Sequence, residues 1–427
     1  MTSQFIGNHL TWNVHRTDRT FRVHVVEPGV YDPVKHATIF NAALSTLIPA
    51  PSSELRPSDK SPEPLRAERF DLVTFPEAFL PADEFTAALR TLSKWPSVGC
   101  VHVGLRPSLD SNHLFTVTQL RQMLDWIRAI DNIELSDLAN FDTWLQKQQS
   151  GQHFNIACLF AMDAAENLRV CLHPKLERSK FEYAALPENF LIEGSILSVV
   201  TLKPTDKRLM SISIQPLICS DTLLLHTDRP GSRPLEAVHL DANCLGTDPP
   251  DHIDVVSVVT CTPQDENSTE PRFRAWKTPF KDAFQRSHTD DAMSRHHFAT
   301  FVLSNFGRDP SSAPAGLSGT FYPAQPPGGA LPDVNISCWG VPEGDFDPRW
   351  SNPLEDHSKW KIRGHMVAIN PFGAGASSVA RMFGVTFSAL PRHISPWSRQ
   401  PVIGNCSIKI ANYTGEKNLT FTEADYE

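Results

Sequence analysis

Short apolar runs recur along this chain, and they constrain its fold more than any other feature. Residues 21–26, 70–75, 98–105, 154–160, 168–172, 196–202, 209–217, 253–260 and 298–304 are each five to nine residues long. Runs of that length, rich in Val, Ile and Phe and bounded by turn-forming or charged residues, read as buried strands rather than helices. Helical spacing separates several of them, over 34–47 and 83–94. Leu120, Met123, Leu124, Ile127 and Ile130 repeat at the same spacing behind Thr116, a good N-cap, and a further helix is expected over 135–145. Strands alternating with helices predict an α/β fold.

Charge and cysteine usage narrow the partners. The net charge is −9 with no block of like charges, which argues against nucleic acid or an anionic membrane as the main partner. The first residues lack the basic-then-apolar order of a secretory signal. No apolar run approaches the roughly 18–20 residues that span a bilayer. A cytoplasmic protein is therefore expected, and Asn267 and Asn418 are chance matches to a glycan acceptor. The eight cysteines contain no Cys-x-x-Cys pair, so neither a zinc site nor a disulfide framework is indicated. Cys100, Cys158 and Cys261 read as small core residues.

Three segments place an ionisable residue at the end of an apolar strand, where α/β proteins build their sites. In Phe75-Pro76-Glu77, Pro76 ends the ladder and leaves a carboxylate in apolar surroundings, suited to general-base work. In His173-Pro174-Lys175, the lysine is followed seven residues later by Glu182, which can orient an ammonium and keep it charged. Lys180 and Glu177 compete for the same two roles. In Ile218-Cys219-Ser220-Asp221 a strand ends in a thiol; beside an ammonium such a thiol gains thiolate character. Taken singly, each has an ordinary reading as a turn residue, a solvated charge or a small buried side chain.

Taken together and in this order, the segments resemble the signatures of the nitrilase, or carbon–nitrogen hydrolase, superfamily: strand-Phe-Pro-Glu, Lys with Glu seven positions on, and Ile-Cys-x-Asp. Residues 190–221, and Ser304-Asn305-Phe306-Gly307 with Ser318-Gly319, are similar to the family's flanking stretches. The resemblance covers about residues 20–325 and extends more loosely to about 395. It implies a four-layer αββα sandwich of two mixed sheets over residues 1–395, with insertions near 49–68 and 110–150 and a C-terminal extension over 396–427. It also implies a catalytic set: Glu77 as general base, Lys175 stabilising the tetrahedral intermediate, Cys219 as nucleophile and Glu182 as a second, positioning carboxylate. The implied substrate is a small-molecule amide, carbamoyl compound or nitrile. A homodimer or higher homo-oligomer, without metal or cofactor, is expected. Two departures stand out. Ser220 replaces a common aromatic residue, and His173-Pro174 replaces a frequent aromatic-Arg pair.

Other candidates carry less. His288, His296 and His297 fit no closed zinc spacing. Residues 372–378 lack the Gly-Lys-Ser/Thr of a phosphate loop and read as a turn. Two rival readings remain: a Cys–His thiol hydrolase using His173 or His153 as base, and a scaffold of the same fold that binds without catalysing.

Overall fold

The computed structural model of the protein describes residues 5–16, 19–29, 32–47, 70–93, 99–109, 113–179, 191–222, 234–235, 245, 250–261, 295–296, 299–307, 318–324, 361–363, 380–387, 390, 393–395, 398–401, 406–413 and 420–423. The first half contains β1 (Ile6–Val14), β2 (Phe21–Pro28), α1 (Pro33–Leu47), β3 (Leu72–Thr74), β4 (Leu80–Pro81), α2 (Ala82–Leu92), β5 (Cys100–Arg106), β6 (Phe115–Thr116), α3 (Val117–Arg128), α4 (Ala139–Gln146), β7 (His153–Phe154), β8 (Ile156–Met162) and β9 (Leu168–Pro174). The second half adds β10 (Ile196–Pro204), β11 (Ile212–Ile218), β12 (Val255–Val259), β13 (Thr300–Ser304), β14 (Gly319–Ala324), β15 (Lys361–Arg363), β16 (Ala380–Phe387), β17 (His393–Ser395), β18 (Ser398–Pro401), β19 (Cys406–Tyr413) and β20 (Thr420–Glu423).

Two large mixed sheets form. One has seven strands in the order β1-β10-β11-β12-β13-β14-β15. The other has nine, β20-β19-β16-β2-β3-β5-β8-β9 with β4 paired to β5. The α/β class expected from the strand–helix alternation is what the chain adopts.

Period-two alternation explains how the sheets layer. In β8, Leu159 and Ala161 face one way; Ile156, Cys158 and Phe160 face the other. The first pair joins Trp12, Val200, Ile212, Val255 and Val302 of the seven-stranded sheet in a shared core, so the two sheets pack face to face. The second set meets the apolar faces of all four helices, including Ile39, Phe40, Phe85, Leu89, Leu120, Met123, Phe141 and Trp144. Helices α3 and α4 thus share one core with α1 and α2. On the outer side of the seven-stranded sheet, Val199, Val256, Val258, Phe301 and Leu303 are buried too, which is compatible with a four-layer order. Helix α3 starts with Thr116 as N-cap in a capping box: Gln119 N–H donates to Thr116 Oγ1 at 3.3 Å, and Thr116 N–H donates to Gln119 Oε1 at 2.9 Å.

Several elements differ from the sequence reading. Strand β1 is not legible as an apolar run: its buried positions include Asn8 and Trp12, while His9, Thr11 and Asn13 intervene. It holds its place by parallel pairing with β10. The C-terminal extension expected over 396–427 contributes β19 and β20 to the nine-stranded sheet, and β16 lies inside that sheet against β2. Residues 372–378, His288 and His297 fall outside the described residues. Among the described residues, no helix is long and apolar enough to cross a membrane.

Between the sheets runs a polar chain. Thr74 Oγ1 lies 3.1 Å from Ser257 Oγ, Ser257 Oγ 2.8 Å from His102 Nδ1, and His102 Nε2 3.1 Å from His173 Nε2. Both rings are fully buried, and desolvation lowers His102 well below its ordinary value and His173 to about 3. The unfolded chain therefore binds protons on these rings that the folded chain refuses. Their contribution to stability is complete above pH 6.5 and falls as pH drops from there toward about 3. The expected slope is at most ~1.4 kcal/mol per pH unit per ring. Urea-unfolding midpoints measured from pH 7 to 4.5 should fall, and should fall less steeply in the double variant His102→Gln/His173→Gln.

Candidate active site

The parallel strands β2, β3, β5 and β9 end at one edge of the nine-stranded sheet, where the antiparallel β8 begins. At the same edge the parallel strands β11, β12 and β13 of the other sheet also end. Backbone and side-chain bonds join the two edges: Ser304 Oγ donates to Val26 O at 2.6 Å, and Gly307 N–H to Pro28 O at 2.8 Å. Ionisable residues that follow β3, β9 and β11 are thereby gathered into one region.

Glu77 follows β3. Its segment continues along β5: Phe75 N–H donates to His102 O, Gly104 N–H to Pro76 O and Phe79 N–H to Gly104 O, at 2.8, 3.0 and 2.9 Å. Residue 104 must be glycine for this approach. A Cβ there would stand 2.4 Å from Glu77 Cα, 2.5 Å from Ala78 N and 2.6 Å from Pro76 O, all backbone atoms that cannot rotate away. The turn leaves Ala78 at φ 51°, a left-handed conformation that costs an L-residue on the order of 1–2 kcal/mol. The rings of Phe40, Phe75, Phe79 and Phe306 pack in succession.

The carboxylate is buried and fully specified. Its Oε1 accepts from Lys175 Nζ at 3.0 Å and from Asn155 Nδ2 at 2.6 Å; its Oε2 accepts from the Cys261 N–H at 2.9 Å. Glu77 and Lys175 are 5% and 2% exposed, so this ion pair is desolvated on both sides. Such a pair persists only where further donors complete it, and Asn155 and Cys261 do so. Asn155 also anchors the lysine's backbone, its carbonyl accepting the Lys175 N–H at 2.8 Å.

Cys219 follows β11 and opens a 3₁₀ turn spanning Cys219–Thr222, at φ 45°. The side chain is 7% exposed and packs among Ala157, Ile218 and Val259, one from the nine-stranded sheet and two from the seven-stranded one. Asp221 joins this turn to the lysine's loop. Its Oδ1 accepts from the Leu176 and Glu177 N–H groups at 2.8 and 2.9 Å, and its Oδ2 from the Ile218 N–H at 3.0 Å. Burial pushes this carboxyl up to about 8, against the lowering effect of these N–H groups and of Lys175. Ser220 Oγ donates to Glu177 O. Ser220 is fully buried.

Of the four residues expected in the site, Glu77 and Lys175 are in direct contact, and the Cys219 turn is tied to the Lys175 loop through Asp221. Glu182 lies outside the described residues, as does its competitor Lys180. The other competitor, Glu177, has its backbone engaged on both sides by Asp221 and Ser220. The cysteines differ among themselves. Burial raises the thiols of Cys100 and Cys158 far above the ordinary range and that of Cys171 to about 12, making them inert core residues. Cys261, expected in the core, is instead partly exposed, and its N–H serves Glu77. Asn155 and Asp221 were not assigned roles by their sequence context; the one available signal for Asn155 is a lone amide inside an apolar run.

Among the described residues, no group of three or more His, Cys, Asp and Glu side chains is arranged to hold a metal ion. His296 Nε2 instead lies 2.6 Å from Gln215 Oε1.

No protein-family model and no curated protein sequence matches the chain. Solved structures similar to it include N-terminal amidase, at 10% identity and a TM-score of 0.30, covering 63% of this chain and 54% of that one. The chain thus spans about half the length of that structure. N-terminal amidase with an Asn-Glu-Ala peptide is similar at 9% identity and a TM-score of 0.36, over 71% of this chain and 90% of that one. Saccharomyces cerevisiae Nit3, a member of branch 10 of the nitrilase superfamily, is similar at 10% identity and a TM-score of 0.33, over 71% and 82%. Similarity of this depth does not reach activity or substrate, which must come from the site itself.

Replacing Asp221 by Ala strands three buried N–H groups, each worth about 1–3 kcal/mol when unpaired. Urea unfolding should show a loss of at least ~3 kcal/mol. Gly104→Ala should cost about 1–3 kcal/mol by overpacking against the Glu77 backbone.

Proposed function

We propose that the protein is a thiol hydrolase that cleaves a non-peptide C–N bond, in an amide, carbamoyl or nitrile group of a small molecule. The observation that carries this reading is the asymmetry of the buried Glu77 carboxylate. Oε1 is saturated by Lys175 and Asn155, while Oε2 accepts a single N–H and keeps a lone pair. Oε2 is then the atom that takes a proton.

With an amide, the Cys219 thiol proton passes to Glu77 Oε2 as sulfur attacks the carbonyl carbon. The tetrahedral oxyanion is stabilised by Lys175 and by the N–H that follows Cys219. Collapse breaks the C–N bond, Glu77 returns its proton to the departing amine, and a thioester remains. Water, deprotonated by the same carboxylate, then attacks the thioester and releases the acid and the free thiol. Lys175, 3.0 Å from Glu77, supplies the cation where negative charge develops. Glu182 is assigned its role as second carboxylate on the sequence resemblance alone. The reading carries with it a cytoplasmic homo-oligomer without metal or cofactor.

The Cys–His alternative with His173 as base is disfavoured by one observation. His173 is paired ring to ring with His102 and is lowered to about 3, which makes it a poor base. The non-catalytic scaffold is disfavoured by the cost of keeping a desolvated ion pair.

Iodoacetamide at pH 7, with peptide mapping to separate Cys219 from Cys261, tests the reading. Cys219 should be labelled stoichiometrically, and at least about tenfold more slowly in Lys175→Ala. A panel of primary amides should yield ammonia with the wild-type protein and at least ~10³-fold less with Cys219→Ser or Glu77→Gln. An unreactive Cys219 in folded protein would leave the scaffold reading standing. Loss of reactivity in His173→Gln with retention in Glu77→Gln would favour the Cys–His reading.

A further inference from the structure

One polar atom beside the Glu77–Lys175 pair has no partner. Asn155 is 1% exposed; its Nδ2 donates to Glu77 Oε1, but its Oδ1 is buried without a hydrogen bond. Buried amide oxygens left unpaired cost on the order of 1–3 kcal/mol, and native proteins seldom keep one without a use. The tautomer question that complicates histidines does not arise here. Turning the amide over would place its oxygen against the carboxylate oxygen, a repulsive contact, so the free end is the acceptor.

The position of that acceptor is defined by the strand. The chain is extended through β7 and β8, so residues two apart share a face, separated by roughly 6–7 Å. Asn155 and Ala157 are such a pair, and Ala157 is in the cluster that contains Cys219. Asn155 therefore stands on the strand face that the nucleophile packs against, with one end of its amide on the base and the other end buried and unpaired.

We infer that Asn155 Oδ1 accepts a hydrogen bond from an N–H of the scissile group, and so selects a primary carboxamide or carbamoyl substrate over a nitrile. This deepens the proposed thiol-hydrolase reading and rests on it. A nitrile nitrogen carries no hydrogen and leaves the oxygen unpaired; a carboxamide –NH₂ has two. The bond also orients the leaving group. As sulfur joins the carbonyl carbon and the C–N bond breaks, the nitrogen held by Asn155 receives the proton that Glu77 took from the thiol. An amide and a thiol thereby become a thioester and ammonia, with atoms and charge balanced. A site built this way discriminates strongly, because the wrong substrate leaves a buried polar group unsatisfied.

Two small electrophiles, chloroacetamide and chloroacetonitrile, test it. Both alkylate a thiolate at the same carbon with loss of chloride, and only the first offers N–H donors. Rates at Cys219 are read by peptide mapping and each is divided by the rate with glutathione. Wild-type protein should favour chloroacetamide by about tenfold or more over the glutathione ratio, and Asn155→Leu should bring the preference back to that ratio. Slower reaction of both reagents in Asn155→Leu reports only the lost support of Glu77, since the ratio cancels it. Should Asn155→Leu not fold, Asn155→Ala gives the same ratio test in a smaller side chain. Reactive Cys219 with no carboxamide preference, or a preference that survives loss of Asn155, overturns this inference and leaves the hydrolase reading intact. Cys219 inert to both reagents overturns the hydrolase reading, and this inference falls with it.

Discussion

A desolvated charge pair between Glu77 and Lys175 is the constraint around which this end of the molecule is arranged. Taking both ions out of water is expensive, and their attraction alone does not restore the loss. The pair is stable because Asn155 and the Cys261 N–H complete the carboxylate, and because Asn155 also receives the lysine's backbone N–H. One amide residue thus positions both ions. Apolar residues of similar volume would stabilise the fold as well or better, so the charges are best understood through what they do at the edge where two sheets meet.

The nucleophile is held by a second, separate device. Asp221 has no exposed surface for solvent to work on, and its two oxygens are used to bind the Cys219 turn to the Lys175 loop. Ala78 and Cys219 both adopt left-handed backbone conformations beside the residues that matter; Asn132 and Glu166 do so in turns away from the site. Gly104 permits the first of these by letting the Glu77 backbone pass at a distance that no side chain allows. Rigid strands set the positions, and short strained turns set the directions.

Legibility in the sequence followed locality. Apolar runs such as 98–105 and 253–260 were readable as strands because burial on both faces leaves an unbroken hydrophobic signature, and α3 because its N-cap, capping partner and apolar stripe are all local. Strand β1 was not, because its inward residues include Asn8 and its partner β10 lies about 190 residues away. The strands β16, β19 and β20 carry the same lesson, since their places in the sheet come from pairing with β2 and with each other. Cys261 was read as core because it follows an apolar run, yet the run ends at the site edge, and the residue serves Glu77 through its backbone. A backbone donor leaves no trace in residue type.

The sequence by itself determined the α/β class, the strand ends that carry Glu77, Lys175 and Cys219, and the inertness of thiols embedded in apolar runs, because each depends on a residue and its near neighbours. Only the tertiary structure decided which oxygen of Glu77 is saturated, that Asp221 fastens the cysteine's turn to the lysine's loop, and that Asn155 keeps a buried, unpaired acceptor beside the Glu77–Lys175 pair. Those facts depend on groups 44 to 184 residues apart meeting within hydrogen-bond distance. Separations of that size are set by how whole sheets pack, and no local pattern encodes them.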